Sequence, residues 1–304
     1  MMTVLITGGA GFVGTHLATS LKKRGHIVTL CDLEKRFTDY HYDNFECIIC
    51  DVSDSDAIAH LPKCQVVYHL AAQVGTLGAL NDLDADLKCN AVGTLNMSQF
   101  CVKNNIKTLI YTSTMAVYGN KDNANEADLL QPVSPYGISK ACGEYYIKYA
   151  SDTSPAMQCV TYRIFNCYGP HQATKGLTQG LASIFLNQIH AGDNVEVKGA
   201  LERYRDLIHI DDVVSALTLP LERKAMKGIY NISSGERTTI KDLIDMILSI
   251  ANKTKTVKID NIGGHSGDPH GVYGNNTKLT KCGWEPRVSL KDGLAQCWEA
   301  LKDE

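Results

Sequence analysis

The sequence predicts an α/β fold built on a doubly wound parallel sheet, with a smaller α/β domain at the C-terminal end. A short β-branched and apolar strand over residues 2–7 leads directly into a glycine-rich turn, and a helical pattern through Leu17 and Leu21 follows. Further apolar strands then alternate with segments of helical character. Because strands that alternate with helices form parallel sheets covered by helices, these observations define the fold class.

The turn after the first strand reads Gly8-Gly9-Ala10-Gly11-Phe12-Val13-Gly14. Its glycines permit a tight turn, close approach of the backbone to a pyrophosphate and close packing of helix on strand. The N-terminus of the helix adds N–H donors and the positive end of its dipole. The helix is expected to end at Gly25, and Ile27–Cys31 forms a second strand closed by Asp32. This order predicts a Rossmann-like dinucleotide site.

Asp32 also distinguishes between the two nicotinamide cofactors. A carboxylate at this place hydrogen-bonds the adenosine ribose 2′-hydroxyl and repels a 2′-phosphate, so the sequence favours NAD over NADP. Lys35 and Arg36 follow closely, and their positive charges leave NADP open.

Four further strands are predicted, at Glu46–Cys50, Val66–Leu70, Thr108–Thr112 and Gln158–Arg163. Two strand ends offer ligand contacts. Asp51 and Val52 would approach the adenine, and the small residues of Leu70-Ala71-Ala72 would let a ribose or nicotinamide lie against the backbone. Asn90 is polar within an otherwise helical stretch, and it is either a buried amide bonded to a neighbouring loop or a site residue.

A base for hydroxyl chemistry is predicted near residue 136. Pro135 suits the first turn of a helix, so Tyr136 and Lys140 share a face one turn apart. The free phenol has a pKa of about 10, and an ammonium beside it favours the phenolate and lowers that value. The strand that precedes Tyr136 and Lys140 ends in the segment Thr112–Gly119, at the edge of the sheet where ligands bind. Ser113 or Thr114 would there hydrogen-bond a substrate hydroxyl, or merely cap the turn.

Composition limits the partners. The 304 residues suggest one large or two medium domains, and a net charge of -3 provides no basic surface for nucleic acid or an anionic membrane. The eleven cysteines are scattered and lack zinc-like spacing, so no metal is expected. Val4-Leu5-Ile6 begins a strand almost at the first residue, which leaves no signal peptide and predicts a cytoplasmic protein.

Together these features resemble the extended short-chain dehydrogenase/reductase family, in its branch of nucleotide-sugar epimerases and dehydratases. The resemblance covers nearly the whole chain and rests on Gly8, Gly11, Gly14, Asp32, Asp51, His69-Leu70-Ala71-Ala72, Asn90, the Ser-Thr-x-x-Val-Tyr-Gly block at 113–119 and Tyr136-x-x-x-Lys140. It implies that Tyr136 and Lys140 are catalytic, that Thr114 assists, and that NAD stays bound. The implied cofactor contacts are Gly8, Gly11, Phe12, Val13, Gly14, Asp32, Asp51, Val52, Leu70, Ala71, Ala72, Asn90, Tyr136 and Lys140.

The second half of the chain extends the resemblance. Residues 163–170 resemble the family segment whose asparagine binds a sugar nucleotide diphosphate. Residues 205–212 resemble the family segment whose arginine holds a diphosphate oxygen. The implied substrate contacts are Ser113, Thr114, Tyr136, Asn166, Arg205, Asp268 and Val272. The corresponding domains are an NAD-binding Rossmann domain over 1–165 and a nucleotide-sugar-binding domain over 166–304, from which about 205–232 returns to the first.

The sequence also departs from the family pattern in the substrate domain. His265-Ser266-Gly267-Asp268 stands where many relatives have Arg-Pro-Gly-Asp, so a second diphosphate-binding arginine is missing unless Arg203 replaces it. Gly199-Ala200-Leu201 stands where relatives read Gly-Asp-Gly. The substrate pocket is therefore less well defined by the sequence than the cofactor site.

The reaction implied by the resemblance is 4-epimerisation of a UDP-sugar. The 4,6-dehydratases of the family carry Asp-Glu after the assisting hydroxyl, whereas Met115 and Ala116 cannot transfer protons. A small residue at Val272 would admit the N-acetylated sugars beside UDP-glucose and UDP-galactose. Four alternatives stay open: a decarboxylase using Arg203 or His171, a dehydratase, which Met115 and Ala116 disfavour, a keto-sugar reductase, and a non-catalytic NAD-sensing protein. The family also implies a homodimer paired through the helices near 80–104 and 136–152.

Overall fold

The computed structural model describes residues 1–37, 42, 44–172, 180–192, 194–253, 257–263 and 270–302. Within them the strands, in chain order, are β1 (Thr3–Thr7), β2 (Ile27–Asp32), β3 (Glu46–Ile49), β4 (Val66–His69), β5 (Thr108–Thr114), β6 (Lys121–Ala124), β7 (Gln158–Ile164), β8 (Asn166–Tyr168), β9 (Val195–Val197), β10 (Tyr204–Arg205), β11 (Leu207–His209), β12 (Gly228–Ile232), β13 (Thr238–Thr239), β14 (Ile259–Asn261) and β15 (Gly271–Gly274). The predicted strands of the first half are all present, with ends shifted by one or two residues.

Seven of these strands form one parallel sheet in the order β3-β2-β1-β4-β5-β7-β12. The chain builds the sheet outward from β1 in one direction and then, from β4, in the other. Ligands of such sheets bind in the crevice outside the carboxyl ends of the strands at this reversal. The predicted fold class is confirmed, and the crevice lies between the ends of β1 and β4.

The described helices cover both faces of this sheet and surround the smaller sheets. They are α1 (Phe12–Lys23), α2 (Ser55–Ala59), α3 (Thr76–Asn81), α4 (Leu83–Leu87), α5 (Gly93–Lys103), α6 (Pro135–Thr153), α7 (Leu181–Ala191), α8 (Ile210–Glu222), α9 (Ile240–Ile250), α10 (Thr277–Thr280) and α11 (Leu290–Lys302). None of them is long and apolar enough to cross a membrane.

Two hydrophobic clusters lie on opposite faces of the large sheet. Leu17 and Leu21 of α1 pack with Val213 and Leu217 of α8 in one cluster. The other cluster gathers side chains of α5 and α6, including Met97, Phe100, Cys101, Ile147 and Ala150. Because each face buries its own apolar surface, the sheet is fixed between two helical layers.

A third cluster lies beyond the sheet, in the C-terminal part of the chain. It is formed by α7, α9 and α11 with strand β9, and includes Phe185, Ile244, Leu294 and Trp298. A four-stranded sheet, β13-β10-β15-β6, and two pairs, β8-β11 and β9-β14, accompany it. Strand β12, by contrast, returns to the edge of the large sheet beside β7. The division at residue 165 stays a prediction.

Two local features set the positions of the later site residues. The Ser134 hydroxyl caps α6 by accepting a hydrogen bond from the Gly137 N–H at 3.2 Å, and Pro135 occupies the first turn, as predicted. Between α4 and α5 the helix widens into a π-helical turn over Lys88–Val92. Such turns re-aim side chains, and this one contains Asn90.

A buried ion pair joins α6 to the sheet. Arg163 of β7 donates from Nε and Nη2 to the two carboxylate oxygens of Glu144 at 2.9 and 2.7 Å, and both side chains are at most 4% exposed. Arg163 Nη1 also donates to the Tyr118 hydroxyl at 2.8 Å. Bidentate geometry satisfies both charges away from water. The pair therefore fixes α6 relative to β7 and to the turn after β5.

We expect Arg163→Met to destabilise the protein by about 3–5 kcal/mol, because it leaves Glu144 buried without its counter-charge. Urea unfolding measures the change. The matched control is Lys148→Met, which removes the exposed partner of Asp152 on the same helix and should cost less than about 1 kcal/mol. Equal effects of the two variants would contradict a structural role for the buried pair.

Candidate active site

At the start of α1, the glycine turn provides no side chain that accepts hydrogen bonds from the first backbone N–H groups of the helix. Gly11 is the N-terminal cap of the helix and offers no side-chain cap, and the first turn carries no acidic residue. The Gly11 N–H is used within the turn, where it donates to the Gly8 carbonyl oxygen at 3.1 Å. The following N–H groups of Phe12, Val13 and Gly14 lie at the positive end of a twelve-residue helix. An anionic diphosphate fits this surface.

Two of the glycines are required by the packing of the turn. Gly8 has φ of 70°, and a side chain there would place its Cβ 2.6 Å from the Ala71 nitrogen. At Gly14 a Cβ would overlap the Gly8 carbonyl oxygen. The turn after β1 therefore lies directly against the segment after β4, and it holds the predicted residues Leu70 and Ala71 at the crevice.

Asp32 lies at the end of β2, beside the glycine turn. Its Oδ2 accepts from the Ala10 N–H at 3.0 Å and its Oδ1 from the Leu33 N–H at 2.8 Å. Burial raises the pKa of this carboxyl, while the two N–H donors and the nearby Arg36 oppose the shift. The carboxylate thus stands at the rim of the turn, where the sequence placed the ribose contact.

Asp51 and Val52 follow β3 at the neighbouring strand end. The Asp51 carboxylate accepts from the N–H and the hydroxyl of Ser53, both at 2.8 Å. Val52 is buried, and Gly93 at the start of α5 packs so closely that a Cβ there would lie 2.7 Å from Val52 Cγ2. The structure therefore brings Asp51 to the same sheet edge as Asp32, and Val52 belongs to the packing beneath it.

Asn90 is a fully buried amide at the centre of a hydrogen-bond network. Its Oδ1 accepts from the Gln73 N–H at 2.9 Å, and its Nδ2 lies 3.0 Å from the Gln73 carbonyl, 2.9 Å from Asp86 Oδ1 and 3.0 Å from Ser139 Oγ. This is the first of the two interpretations the sequence allowed, an amide bonded to a neighbouring loop. Asn90 thereby joins the segment that contains Gln73 to Ser139 of α6.

Thr114 and Tyr136 meet at the end of β5. The Thr114 hydroxyl lies close enough to the Tyr136 phenol to lower its pKa, and the Thr114 oxygen accepts from the Ala116 N–H at 3.2 Å. Thr114 is buried, whereas part of the Tyr136 side chain is exposed. The two predicted reactive hydroxyls thus lie near each other at the crevice.

Lys140 lies one turn further along α6 and is only 2% exposed. Its Nζ lies 4.3 Å from the centroid of the Tyr111 ring, a cation–π contact. The Tyr111 hydroxyl donates to the Lys140 carbonyl oxygen at 3.3 Å. The His69 ring stacks on the Tyr111 ring, with 5.7 Å between the two ring centroids. Burial lowers the pKa of Lys140 to about 8.

The ionisation of Tyr136 differs from the sequence-based expectation. Lys140 was expected to lower the pKa of the phenol, but burial raises it to about 12, with Thr114 lowering it and Asp86 raising it. The reason is that removal of the phenol from water disfavours its charged form more than its neighbours compensate. In the protein alone, Tyr136 is therefore protonated at neutral pH.

Ser113 points away from this pair. Successive residues of a strand face opposite sides of a sheet, and the Ser113 hydroxyl donates to Glu144 Oε1 at 2.5 Å, within the buried ion pair. The structure therefore brings Thr114 and Tyr136 together and leaves Ser113 outside the pair, as part of the packing between β5 and α6.

The predicted substrate residues of the second half meet around β10. The Asn166 side chain donates to the Asp206 carbonyl oxygen at 2.9 Å, next to Arg205. Arg205 is buried and pairs in register with Val272 of β15. Burial and the nearby Arg203 lower the pKa of Arg205 to about 10. Val272 has no exposed surface and packs in the main core cluster, so it does not face open space here.

Asp268 lies outside the described residues, as does the rest of the His265–Asp268 segment that departs from the family pattern. The described residues contain no group of three or more His, Cys, Asp or Glu side chains suited to a metal ion.

Several residues that hold this site were missed by sequence reasoning. Asp206 accepts from the N–H groups of Ser234, Gly235 and Gly274 and so joins β10 to β15 and to the turn after β12. Asp86 contacts Asn90 beneath the catalytic helix. The helical spacing of Asp86 and Asn90, four residues apart, was the available signal, because such pairs share a face.

Comparison with known proteins agrees with this geometry. The model of the NAD dependent epimerase/dehydratase family matches residues 4–233. The chain belongs to this family. The sheet, the glycine turn and the Tyr136–Lys140 helix all lie within the matched part, and the family's cofactor is NAD.

Relatives within the family differ in reaction. A UDP-glucose 4-epimerase from Mycolicibacterium smegmatis is 28% identical over 315 residues, covering 100% of this chain and 99% of that one. A UDP-N-acetyl-alpha-D-glucosaminuronate decarboxylase from Bacillus cytotoxicus is 30% identical, covering 96% and 95%. Among solved structures, a UDP-glucose 4-epimerase from Thermotoga maritima with UDP-glucose has a TM-score of 0.90 at 29% identity and covers 99% of both chains.

We expect Gly14→Ala to displace the glycine turn and to abolish retention of NAD on purification, because its Cβ would overlap the Gly8 carbonyl oxygen. The nucleotide released by acid from the purified protein, measured by chromatography, reports the loss. Gly78→Ala is the control: Gly78 also lies in the first turn of a helix, but a Cβ there would meet no atom closer than 3.9 Å. Full NAD content in Gly14→Ala would disprove the assignment of the turn.

Proposed function

We propose that this protein is an NAD-dependent nucleotide-sugar 4-epimerase that interconverts UDP-glucose and UDP-galactose through a transient 4-keto sugar. The observation that carries the proposal is the placement of Thr114 at the carboxyl end of its strand near Tyr136, with Lys140 one turn away from Tyr136 on the same helix. This arrangement suits removal of a proton from a sugar hydroxyl.

The residues present fit NAD as the resident cofactor. The uncapped N-terminus of α1 would hold the diphosphate, and Asp32 and Asp51 line the adenosine side of the crevice. The chemistry that bound NAD supplies is reversible acceptance of a hydride from the sugar. Leu70, Ala71 and Ala72 leave room beside the backbone for the rest of the dinucleotide.

Tyr136 is the base in this proposal. Its phenolate oxygen takes the proton of the C4 hydroxyl, and later returns a proton to the other epimer. Thr114 donates its hydrogen bond to the phenolate, which stabilises the charged form. Lys140 contributes its positive charge from the buried side of the helix.

The residues after Thr114 support epimerisation over dehydration. Met115 and Ala116 begin the turn over Met115–Tyr118, and neither side chain can donate or accept a proton. Dehydration requires an acid and a base in addition to the Tyr136 base. Epimerisation requires neither group, because the keto sugar only rotates about its diphosphate linkage before the hydride and the proton return to its other face.

Binding of the UDP moiety is assigned to the second half of the chain. Arg205 would hold the diphosphate with its planar guanidinium, and Asn166 lies beside it through the Asp206 carbonyl. Arg203 lies close enough to Arg205 to lower its pKa, and it is the residue proposed to replace the missing second arginine. Asp268 and Val272 complete the assignment; because Val272 is fully buried, its proposed effect on an N-acetyl group at C2 comes from its small size and not from an exposed contact surface.

The test is to incubate the purified protein, without added cofactor, with UDP-glucose and separately with UDP-N-acetylglucosamine. We expect proton NMR to show the galacto epimer of each sugar with no net NADH. A requirement for stoichiometric NAD(P)H would instead identify a keto-sugar reductase, and loss of carbon dioxide from a UDP-uronate would identify a decarboxylase. Turnover of UDP-glucose alone would refute the role of Val272.

Tyr136→Phe separates catalysis from binding in the same assay. We expect turnover to fall by at least about 1000-fold, because the base is removed, while the NAD content stays unchanged. Phenylalanine keeps the ring that packs at the crevice. Undiminished turnover would refute the assignment of Tyr136 as the base.

We further propose that two copies of the chain pair through α3, α4 and α6. These helices pack against one another and expose a row of large apolar side chains, each about half to two thirds exposed: Leu80, Leu83, Leu87, Ile138, Tyr145 and Tyr149. Contiguous exposed apolar surface of this kind marks an interaction site. A second copy of the chain would cover these apolar side chains with the same surface of its own, as in symmetric dimers.

Light scattering coupled to size-exclusion chromatography should give the mass of a dimer for the wild type and of a monomer for the double variant Tyr145→Glu/Tyr149→Glu. The substitutions place charge in the proposed interface. Ile262→Glu is the control, since Ile262 is 52% exposed beside β14, away from these helices. A dimeric double variant would exclude this surface.

A further inference from the structure

Asp86 is a buried carboxylate that the proposed mechanism does not use. It lies on α4 and is 2% exposed, whereas Asp84 on the same helix faces solvent and pairs with Lys88. Its Oδ1 accepts from Asn90 Nδ2 at 2.9 Å, and the same Asn90 nitrogen lies 3.0 Å from Ser139 Oγ, whose hydroxyl donates to the Tyr136 carbonyl oxygen at 3.1 Å. Ser139 immediately precedes Lys140 on α6. Asp86 therefore contacts the catalytic helix from below, between its two reactive residues.

A carboxylate without a counter-charge is costly in such a place, because burial of an ion costs several kcal/mol. Burial accordingly raises the pKa of Asp86, while Ser139, Lys140 and Asn90 lower it. Within the described residues, no Lys, Arg or His nitrogen forms an ion pair with Asp86. The cation that interacts with it electrostatically is Lys140, which is itself buried. The other carboxylate near Lys140, Glu144, is already bound bidentately by Arg163. This leaves Asp86 to balance Lys140.

The remaining titratable groups around Lys140 do not replace Asp86. From β5, Tyr111 presents its ring face, and from β4, His69 is kept neutral because burial lowers its pKa to about 3. From the π-helical turn, burial raises the pKa of the Cys89 thiol and keeps it uncharged. Tyr136, on the same helix, is protonated at neutral pH.

We propose that Asp86 is a positioning residue of the active site, whose buried negative charge is the counter-ion of Lys140 and whose network with Asn90 and Ser139 fixes α6. The proposal rests on the proposed function for its effect on turnover, but the charge balance itself does not. It assigns a role to a residue that touches neither substrate nor cofactor.

The direction of the expected effects follows from the charges. Asp86 favours the ammonium of Lys140 and disfavours the phenolate of Tyr136, so it raises the pKa of both groups. Removal of its charge should lower both values. A neutral amide at this position keeps the size of the side chain and can still accept from Asn90. Asp86→Asn therefore changes the charge and little else.

The direct experiment follows the ionisation of Lys140 by NMR in protein labelled at lysine 13Cε, without substrate. We expect wild-type Lys140, assigned by its loss in Lys140→Met, to titrate near its pKa of about 8. In Asp86→Asn this value should fall by about half a pH unit or more. Asp84→Asn removes the same charge from the exposed side of the same helix and should leave it unchanged. An unaltered Lys140 titration in Asp86→Asn would overturn the proposal.

Turnover provides the second readout. The active form needs Tyr136 deprotonated and Lys140 protonated, so in Asp86→Asn both limbs of the pH profile of kcat/KM should move to lower pH. A purely structural role would lower kcat/KM at every pH without moving the limbs. If the wild type fails to epimerise any UDP-sugar, the proposed function fails, whereas the lysine titration still decides the role of Asp86.

A measurement without any substitution guards against a variant that does not fold. The 13Cγ shift of Asp86 in the wild type, assigned through its own amide, reports whether the carboxyl is charged at pH 7. We expect the carboxylate form. A protonated Asp86 at this pH would overturn the proposal, because a neutral carboxyl cannot balance an ammonium.

Discussion

The site depends on the close contact between the turn after β1 and the segment after β4. These strands pair in parallel and leave the sheet at the same edge, and the absence of a side chain at Gly8 lets the two backbones touch. The glycine turn proposed to receive the dinucleotide lies along this contact. The uncapped start of α1 is on one side, and the segment held by Asn90 is on the other. A larger residue at Gly8 would separate them.

Burial governs the chemistry of α6. The helix carries Tyr136, Ser139, Lys140 and Glu144, and all but Tyr136 are buried. Each charge in this layer therefore requires a partner, and the structure provides Arg163 for Glu144 and Asp86 for the surroundings of Lys140. Burial lowers the pKa of Lys140, and withdrawal of the phenol from water raises that of Tyr136 although part of its side chain is exposed. The protein alone thus holds the Tyr136 phenol in the protonated form.

The second half of the chain is assembled around Asp206 in the same way. One carboxylate receives N–H groups from the turn after β12 and from β15, and the adjacent carbonyl receives the Asn166 side chain. Arg205 and Asn166 are distant in sequence, yet Asp206 brings them together, because it follows Arg205 in the chain and its carbonyl oxygen accepts from Asn166. The residues proposed to bind substrate are therefore coupled to the large sheet through β12, which is its edge strand.

The sequence by itself determined the order of strands and helices, the glycine turn, Asp32 and the Tyr136–Lys140 helix, because each depends on local spacing or on residues that tolerate special backbone conformations. Only the tertiary structure decided the orientation of Ser113 towards Glu144, the burial of Val272, the raised pKa of Tyr136 and the presence of Asp86 under the helix. These depend on which distant segments remove a side chain from water, and no local pattern contains that information.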